Sequence, residues 1–110
     1  MKHITLPMLV DAINELNDPF DAHDVERRVL RNQPAAMAQD ILRYANSGDV
    51  LRTFSAQFAR HVDSVLRGQI EQTAKVSTAN LGGLVSECQQ WRKLVTPLHA
   101  ATATADDGTR

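Results

Sequence analysis

The sequence has a single cysteine, Cys88, so no disulfide can form within the chain and no cysteine-rich zinc site can be built. Aromatic residues are also few, with three Phe, one Tyr and one Trp, so aliphatic side chains must supply most of the core. No apolar run approaches the roughly 20 residues that a membrane span needs, and no signal-peptide core follows the amino terminus. We therefore expect a cytoplasmic protein that does not contact the membrane.

Signatures of catalysis and of metal binding are missing as well. No His-Glu-x-x-His, Cys-x-x-Cys, Gly-x-Ser-x-Gly or phosphate-loop glycine pattern occurs in the sequence. His23, His61 and His99 are scattered, and pairing of His61 with Cys88 as base and nucleophile depends on a fold that the sequence does not indicate. The sequence therefore predicts a non-enzymatic protein with no cofactor and no metal site.

The length of 110 residues and the hydrophobic content of 43% suit one modest core. We expect a single helical domain over residues 1–97 and a flexible Ala/Thr-rich tail over residues 98–110. The predicted fold class is all-α, a compact bundle of about five helices with a helix-turn-helix-like core. The alternative is that a small β-hairpin forms around residues 74–90.

Basic charge is concentrated in the middle of the chain, although the formal net charge is only -1. Residues 1–24 carry one basic residue and five acids, whereas residues 25–72 carry seven arginines, no lysine and five acids. Arginine binds phosphates bidentately and stacks on bases, so this composition is compatible with nucleic acid. A set of solvated helix faces is the simpler interpretation.

Three helix starts can be recognised. Thr5 and Pro7 begin the first helix, and Asp21, with Asp24 three residues on, caps the second. Pro34 favours the first position of a third helix, which ends at Asn46-Ser47-Gly48. The outer face of the second helix is predicted to carry Glu26, Arg27, Arg28 and Arg31.

The third helix is predicted to turn Gln39, Asp40 and Arg43 outward and to pack Met37 and its apolar neighbours inward. Gln can pair bidentately with adenine and Arg with guanine in the major groove, so Gln39 and Arg43 are candidates for base reading. The carboxylate of Asp40 would repel phosphates. The simpler interpretation is that both candidates are solvent-exposed positions on a surface helix.

After Gly48, Val50 and Leu51 are either a short extended segment or the start of a long helix that Asp49 caps. We favour the long helix, because Leu51, Phe54, Phe58, Val62 and Val65 form one apolar stripe. The stripe is more typical of a core than of a dimer seam, but it leaves a homodimer open.

The segment over residues 73–97 also has two interpretations. Residues 74–80 suit a strand, and Asn80 with Gly82-Gly83 predicts a turn. The helical spacing of Leu84, Cys88, Trp91 and Val95 instead favours a final helix from Leu84 to Thr96. Trp91 is then predicted to anchor the core. In the alternative it is an exposed aromatic that binds a partner beside Arg92 and Lys93.

The stretch over residues 20–52, FDAHDVERRVLRNQPAAMAQDILRYANSGDVLR, resembles the central part of winged helix-turn-helix regulators. In those proteins a proline-bearing turn leads from the second helix to the recognition helix, and two strands follow soon after it. The resemblance implies DNA binding through the third helix, with Gln39 and Arg43 at matching exposed positions. Any wing would be displaced to residues 75–91, around the turn at residues 80–83.

Two functional hypotheses follow. The first is a small helix-turn-helix DNA-binding protein that regulates transcription by occupying an operator, in which Arg27, Arg28 and Arg31 contact the phosphates of double-stranded DNA while Gln39 and Arg43 read bases. The second is a helical adaptor or inhibitor that binds a protein partner through Trp91, Arg92 and Lys93 or through its acidic first helix. Steep salt dependence of DNA binding would separate the first hypothesis from the second.

Overall fold

The computed structural model describes residues 1–100, which form four helices and a three-stranded antiparallel sheet. Along the chain the elements are α1 (Leu6–Asn14), β1 (Phe20–Asp21), α2 (Ala22–Asn32), α3 (Pro34–Leu42), α4 (Val50–Val65), β2 (Ile70–Ala79) and β3 (Val85–Lys93). The strand order is β1-β3-β2. The fold is therefore mixed, and the all-α prediction of about five helices is wrong.

The predicted helix starts are confirmed. The Thr5 hydroxyl accepts a hydrogen bond from the backbone amide of Met8, and Asp21 forms a reciprocal capping box with Asp24. Asp49 caps α4, so the interpretation as one long helix is correct. Within residues 1–100, none of these helices combines the length and apolar character needed to cross a bilayer.

The predicted final helix from Leu84 to Thr96 is wrong, because β3 occupies this segment and pairs with β2 along its length. The helical spacing rested on four apolar residues, of which Leu84 is 71% exposed while only Cys88 and Trp91 are buried. The turn signal was the more reliable one. The Asn80 side chain accepts from the amides of Gly82 and Leu84, and Gly83 has a φ of 82° that favours glycine.

The core lies between the sheet and the helices α1, α2 and α4. Trp91 is completely buried, as the core-anchor interpretation predicts, and its ring contacts Phe20 of β1. The indole Nε1 of Trp91 donates to the Asp63 carboxylate of α4 at 3.1 Å, so β3 is fixed against that helix. The largest buried apolar side chains of the core are Leu9, Ile13, Phe20, Met37, Phe54, Phe58, Leu66 and Trp91.

Two carboxylates that the sequence analysis assigned to outer helix faces are buried. Glu26 of α2 faces α4, where its Oε1 accepts from the Ser55 hydroxyl at 2.9 Å. Asp40 of α3 accepts from the backbone amides of residues 2–4 and so ties down the amino-terminal segment. Amphipathic periodicity cannot predict such polar positions, because their partners are remote in sequence.

The first residues of the predicted tail are packed onto the domain. Leu98 is buried and exchanges backbone hydrogen bonds with the Asn14 side chain. His99 does the same with the Gln69 side chain. The domain therefore extends past the predicted boundary at residue 97, and residues 101–110 of the predicted tail lie outside the described residues.

Candidate nucleic-acid interface

Helix α4 buries one face and presents a basic face on the opposite side. Phe54, Phe58 and Val62 recur every four residues and enter the core. Arg52 and Arg60, with Ala56 midway between them, follow the same spacing on the exposed side. The helix is 16 residues long, which corresponds to about 24 Å.

The exposed face of α4 and the β2–β3 hairpin enclose an open groove of about 610 Å³. Arg52, Ala56 and Arg60 line the α4 side, and Lys75 of β2 lines the opposite side. The end of the hairpin approaches the start of α4 closely, since a Cβ on Gly82 would lie 3.0 Å from Cδ1 of Leu51. The hairpin therefore lies alongside the helix and extends its basic surface.

The charges in this groove are not all available to a ligand. Arg52, Arg60 and Lys75 form no ion pair with any other part of residues 1–100. Of the three acids that line the groove, Asp49 caps α4, and Asp63 accepts from Trp91 and from the Gln72 side chain. Asp49 and Glu87 are exposed, whereas Asp63 is partly buried. The three cations of the groove are therefore matched in number by three acids, but two of these acids already accept hydrogen bonds within the domain, whereas the cations have no ion-pair partner within residues 1–100.

The arginines predicted to contact phosphates are divided between structural and free positions. Arg27 pairs with Asp24 and also donates to the backbone carbonyl of Ala79 at the end of β2. Arg28 of α2 pairs with Glu15, the residue that directly follows α1. Arg31 is exposed, and no carboxylate within residues 1–100 forms an ion pair with it. Two of the three predicted phosphate contacts therefore already hold the fold together.

Gln39 and Arg43 are both exposed at the end of α3, so the proposed reading side of this helix is accessible. The Asp40 side chain is buried and does not face that side, so the predicted repulsion between its carboxylate and phosphates does not apply there. The prediction of base reading stays a prediction. The remaining exposed surface of α3 is mostly small or apolar and includes Leu42, which is 66% exposed.

The residues predicted to bind a protein partner are engaged within the domain. Trp91 is buried, and the Arg92 guanidinium pairs with Glu71 of β2. The Lys93 ammonium donates to the backbone carbonyl of Leu16. Large exposed apolar side chains lie instead at the end of the hairpin, at Leu84 and Val85.

Cys88 lies beside His23. Within residues 1–100 no hydrogen bond joins it to His61. The His23 Nδ1 lies 2.8 Å from the Thr78 hydroxyl, which lies 3.7 Å from the Cys88 sulfur. Burial lowers the pKa of His23, against the opposing influence of Asp21. Burial raises the pKa of the Cys88 thiol. Sequence analysis missed this cluster because strand pairing brings distant residues together.

Comparisons with known proteins give no family for the chain. No family model matches it, and neither the curated proteins nor the solved structures gave a match.

Proposed function

We propose that the protein binds double-stranded DNA as a transcriptional regulator, with α4 in the major groove and the β2–β3 hairpin against the adjacent backbone. The proposal rests on one observation: the helix that directly precedes the hairpin presents Arg52 and Arg60 to solvent without an ion-pair partner in residues 1–100. Arginine in such a position can contact guanine bidentately or neutralise phosphate.

The order of the elements favours α4 over α3 as the reading helix. In the winged helix-turn-helix proteins that residues 20–52 resemble, two strands follow soon after the recognition helix. Here β2 begins at Ile70, and the helix that ends just before it is α4, at Val65. In this proposal the hairpin serves as the wing, and α3 is an additional short helix between α2 and α4.

The dimensions and side chains of α4 suit a major groove. The groove is about 12 Å wide and admits a helix, so a helix of about 24 Å can cross it with residues to spare at both ends. Ala56 lies between Arg52 and Arg60 and lets the backbone approach base edges. Gln57 is exposed one residue further and can pair with adenine. Lys75 is placed to contact a phosphate from the hairpin side.

Replacing Arg60 with alanine should weaken binding to a mixed-sequence duplex by about tenfold at about 50 mM salt, because one contact to a phosphate or base is lost. The slope of log affinity against log salt should fall by about 1 if that contact is to phosphate. Fluorescence anisotropy of a labelled duplex, titrated at several salt concentrations, measures both quantities.

Arg43→Ala is the matched control, because it removes one exposed arginine from α3 instead of α4. The α4 proposal predicts a clearly smaller loss for Arg43→Ala than for Arg60→Ala. Equal losses of affinity would indicate non-specific charge attraction. A larger loss for Arg43→Ala would contradict the α4 proposal and support base reading by Gln39 and Arg43. Absence of wild-type binding at every salt concentration would contradict DNA binding altogether.

The hypothesis of a protein-binding module is the second candidate. It is supported by Leu84 and Val85, which are 71% and 73% exposed at the hairpin end. A homodimer and a cytoplasmic location both stay predictions. The second candidate gains support if the wild-type protein has no DNA affinity at low salt.

A further inference from the structure

Three potential metal ligands from three elements converge beneath the groove. Asp21 ends β1, His23 belongs to the first turn of α2, and Cys88 lies on β3. A carboxylate oxygen, an imidazole nitrogen and the sulfur of these residues all lie within 4.8 Å of one another. All three residues are buried. We infer that Asp21, His23 and Cys88 form a binding site for a divalent cation of the zinc type.

The fold explains this convergence. Strand β1 pairs with β3, which sets Asp21 opposite Gln90, two residues from Cys88. Helix α2 starts immediately after Asp21, so its first turn carries His23 over the same part of β3. On the other side of Cys88, Val76 of β2 is its pairing partner, and Thr78 of the same strand contacts the His23 ring. The strand pairing and the start of α2 therefore fix the backbone positions of all three residues.

The donor set selects the class of metal. One thiolate, one imidazole and one carboxylate suit Zn²⁺ and other borderline cations, whereas Mg²⁺ and Ca²⁺ take oxygen ligands. The two anionic ligands would neutralise the charge of the cation. Zinc bonds of about 2.0–2.3 Å place tetrahedral ligand atoms about 3.5 Å apart, so a separation of up to 4.8 Å has to close by no more than about 1.3 Å.

Access to the cluster comes through the groove. His23 and Cys88 both line the groove between α4 and the hairpin, so a cation can enter from solvent without unfolding of the domain. With three protein ligands the fourth position is left to water or to a small ligand in the groove. The inference does not depend on DNA binding, and its test uses no DNA.

The test is a titration of the metal-free protein with Co²⁺, which substitutes for zinc and reports its ligands by absorption. Cys88 is the only cysteine, so a thiolate-to-cobalt charge-transfer band from a protein with one bound ion must come from this residue. We expect one Co²⁺ per monomer, a charge-transfer band with intense visible bands typical of a tetrahedral site, and loss of both on adding Zn²⁺. Size-exclusion chromatography during the titration checks that no metal-bridged dimer forms.

Three variants test the individual ligands. Asp21→Asn removes the carboxylate but keeps a residue that can cap α2. It should weaken Co²⁺ binding at least tenfold, as should His23→Gln, whereas Cys88→Ser should abolish the charge-transfer band. His61→Gln is the control, because it removes a partly buried histidine of α4 outside the cluster and should bind as the wild type does.

The inference is overturned if wild-type protein gives no charge-transfer band, or if Asp21→Asn and His23→Gln bind Co²⁺ as tightly as His61→Gln. Circular dichroism verifies that each variant is folded. If a ligand variant does not fold, zinc-edge X-ray absorption of the wild-type complex decides. One sulfur with nitrogen and oxygen neighbours supports the site, and a shell without sulfur overturns it.

Discussion

Replacing Glu26 with glutamine should stabilise the protein at pH 8 by up to about 3 kcal/mol. Burial raises the pKa of Glu26 to about 7, and the Ser55 hydroxyl only partly offsets that effect. The second carboxylate oxygen, Oε2, is buried and has no hydrogen-bond partner within residues 1–100. Above pH 7 the folded protein therefore holds a poorly solvated charge between α2 and α4, which the amide of glutamine does not carry.

The pH dependence follows from the direction of this shift. The unfolded chain has the ordinary carboxyl pKa of 4.5, so the folded state binds the Glu26 proton more tightly. The stability that protonation provides is fully present below pH 4.5, declines between pH 4.5 and about 7, and is lost above that range. Glu26→Gln should remove this contribution to the pH dependence of the free energy of unfolding, which urea unfolding from pH 5 to pH 8 measures.

Glu87→Gln provides the matched control, because it removes an exposed carboxylate by the same chemical change. It should alter the free energy of unfolding by no more than about 0.5 kcal/mol. The burial of Glu26 would be contradicted if Glu26→Gln had as small an effect at pH 8 as Glu87→Gln.

Replacing Asp40 with alanine should destabilise the protein by about 2–4 kcal/mol, because the buried amide of Ile4 loses a charged acceptor at about 1–3 kcal/mol, whereas the amides of the exposed residues 2 and 3 lose less since they can bond to water. The Asp40 carboxylate accepts from the amide of Ile4 at 2.8 Å and from the amide of His3 at 3.0 Å. It also accepts from the amide of Lys2 and lies 3.1 Å from the His3 ring. Without it, the buried Ile4 side chain loses the contact that holds its backbone in place.

Protonation of Asp40 should have a related effect. Burial is the largest single influence and opposes ionisation, but the hydrogen bonds from residues 2–4 together outweigh it and lower the pKa below 3.8. The stabilisation is therefore present above pH 3.8 and is lost as the pH falls through the lower pKa of the folded state. Acid titration of the wild type and of Asp40→Ala measures this difference.

The neighbouring Gln39→Ala is the control for Asp40→Ala, since Gln39 is exposed on the same helix. Urea unfolding at pH 7 should find Gln39→Ala within about 0.5 kcal/mol of the wild type. An equally small change for Asp40→Ala would contradict the burial of Asp40 and would support the outer-face position that the sequence pattern predicts.

The local signals predicted local structure well. Thr5, Asp21 and Asp49 were predicted to cap helices and do so, because a cap depends on residues only three positions apart. The turn at residues 80–84 was predictable for the same reason. These features do not depend on the rest of the fold.

Long-range features could not be predicted in this way. The final segment was interpreted as a helix because four apolar residues matched a helical period, although its backbone pairs with β2. Glu26 and Asp40 are polar residues with distant partners, and a periodicity argument places any polar residue outside. The Asp21, His23 and Cys88 cluster needs the pairing of β1 with β3, which joins residues about 70 positions apart.

The same limit explains why we propose α4 as the reading helix, whereas the sequence pattern favoured α3. The proline before α3 favoured that helix as the recognition element, because the sequence pattern did not fix the two strands that the proposal treats as a wing. Once β2 and β3 are located, α4 is the helix that precedes them. Glu26 and Ser55 join α2 to α4, so the buried carboxylate also helps to hold the proposed reading helix.

The most direct test of the proposed interface is an NMR titration of isotope-labelled protein with a mixed-sequence duplex at low salt. We predict that the largest amide shifts fall on residues 52–67 and 75–89, with small shifts over residues 34–43, and that added salt reverses them. Shifts confined to residues 34–43, or no shifts at any DNA concentration, would contradict the assignment of α4 and the hairpin as the DNA-binding surface.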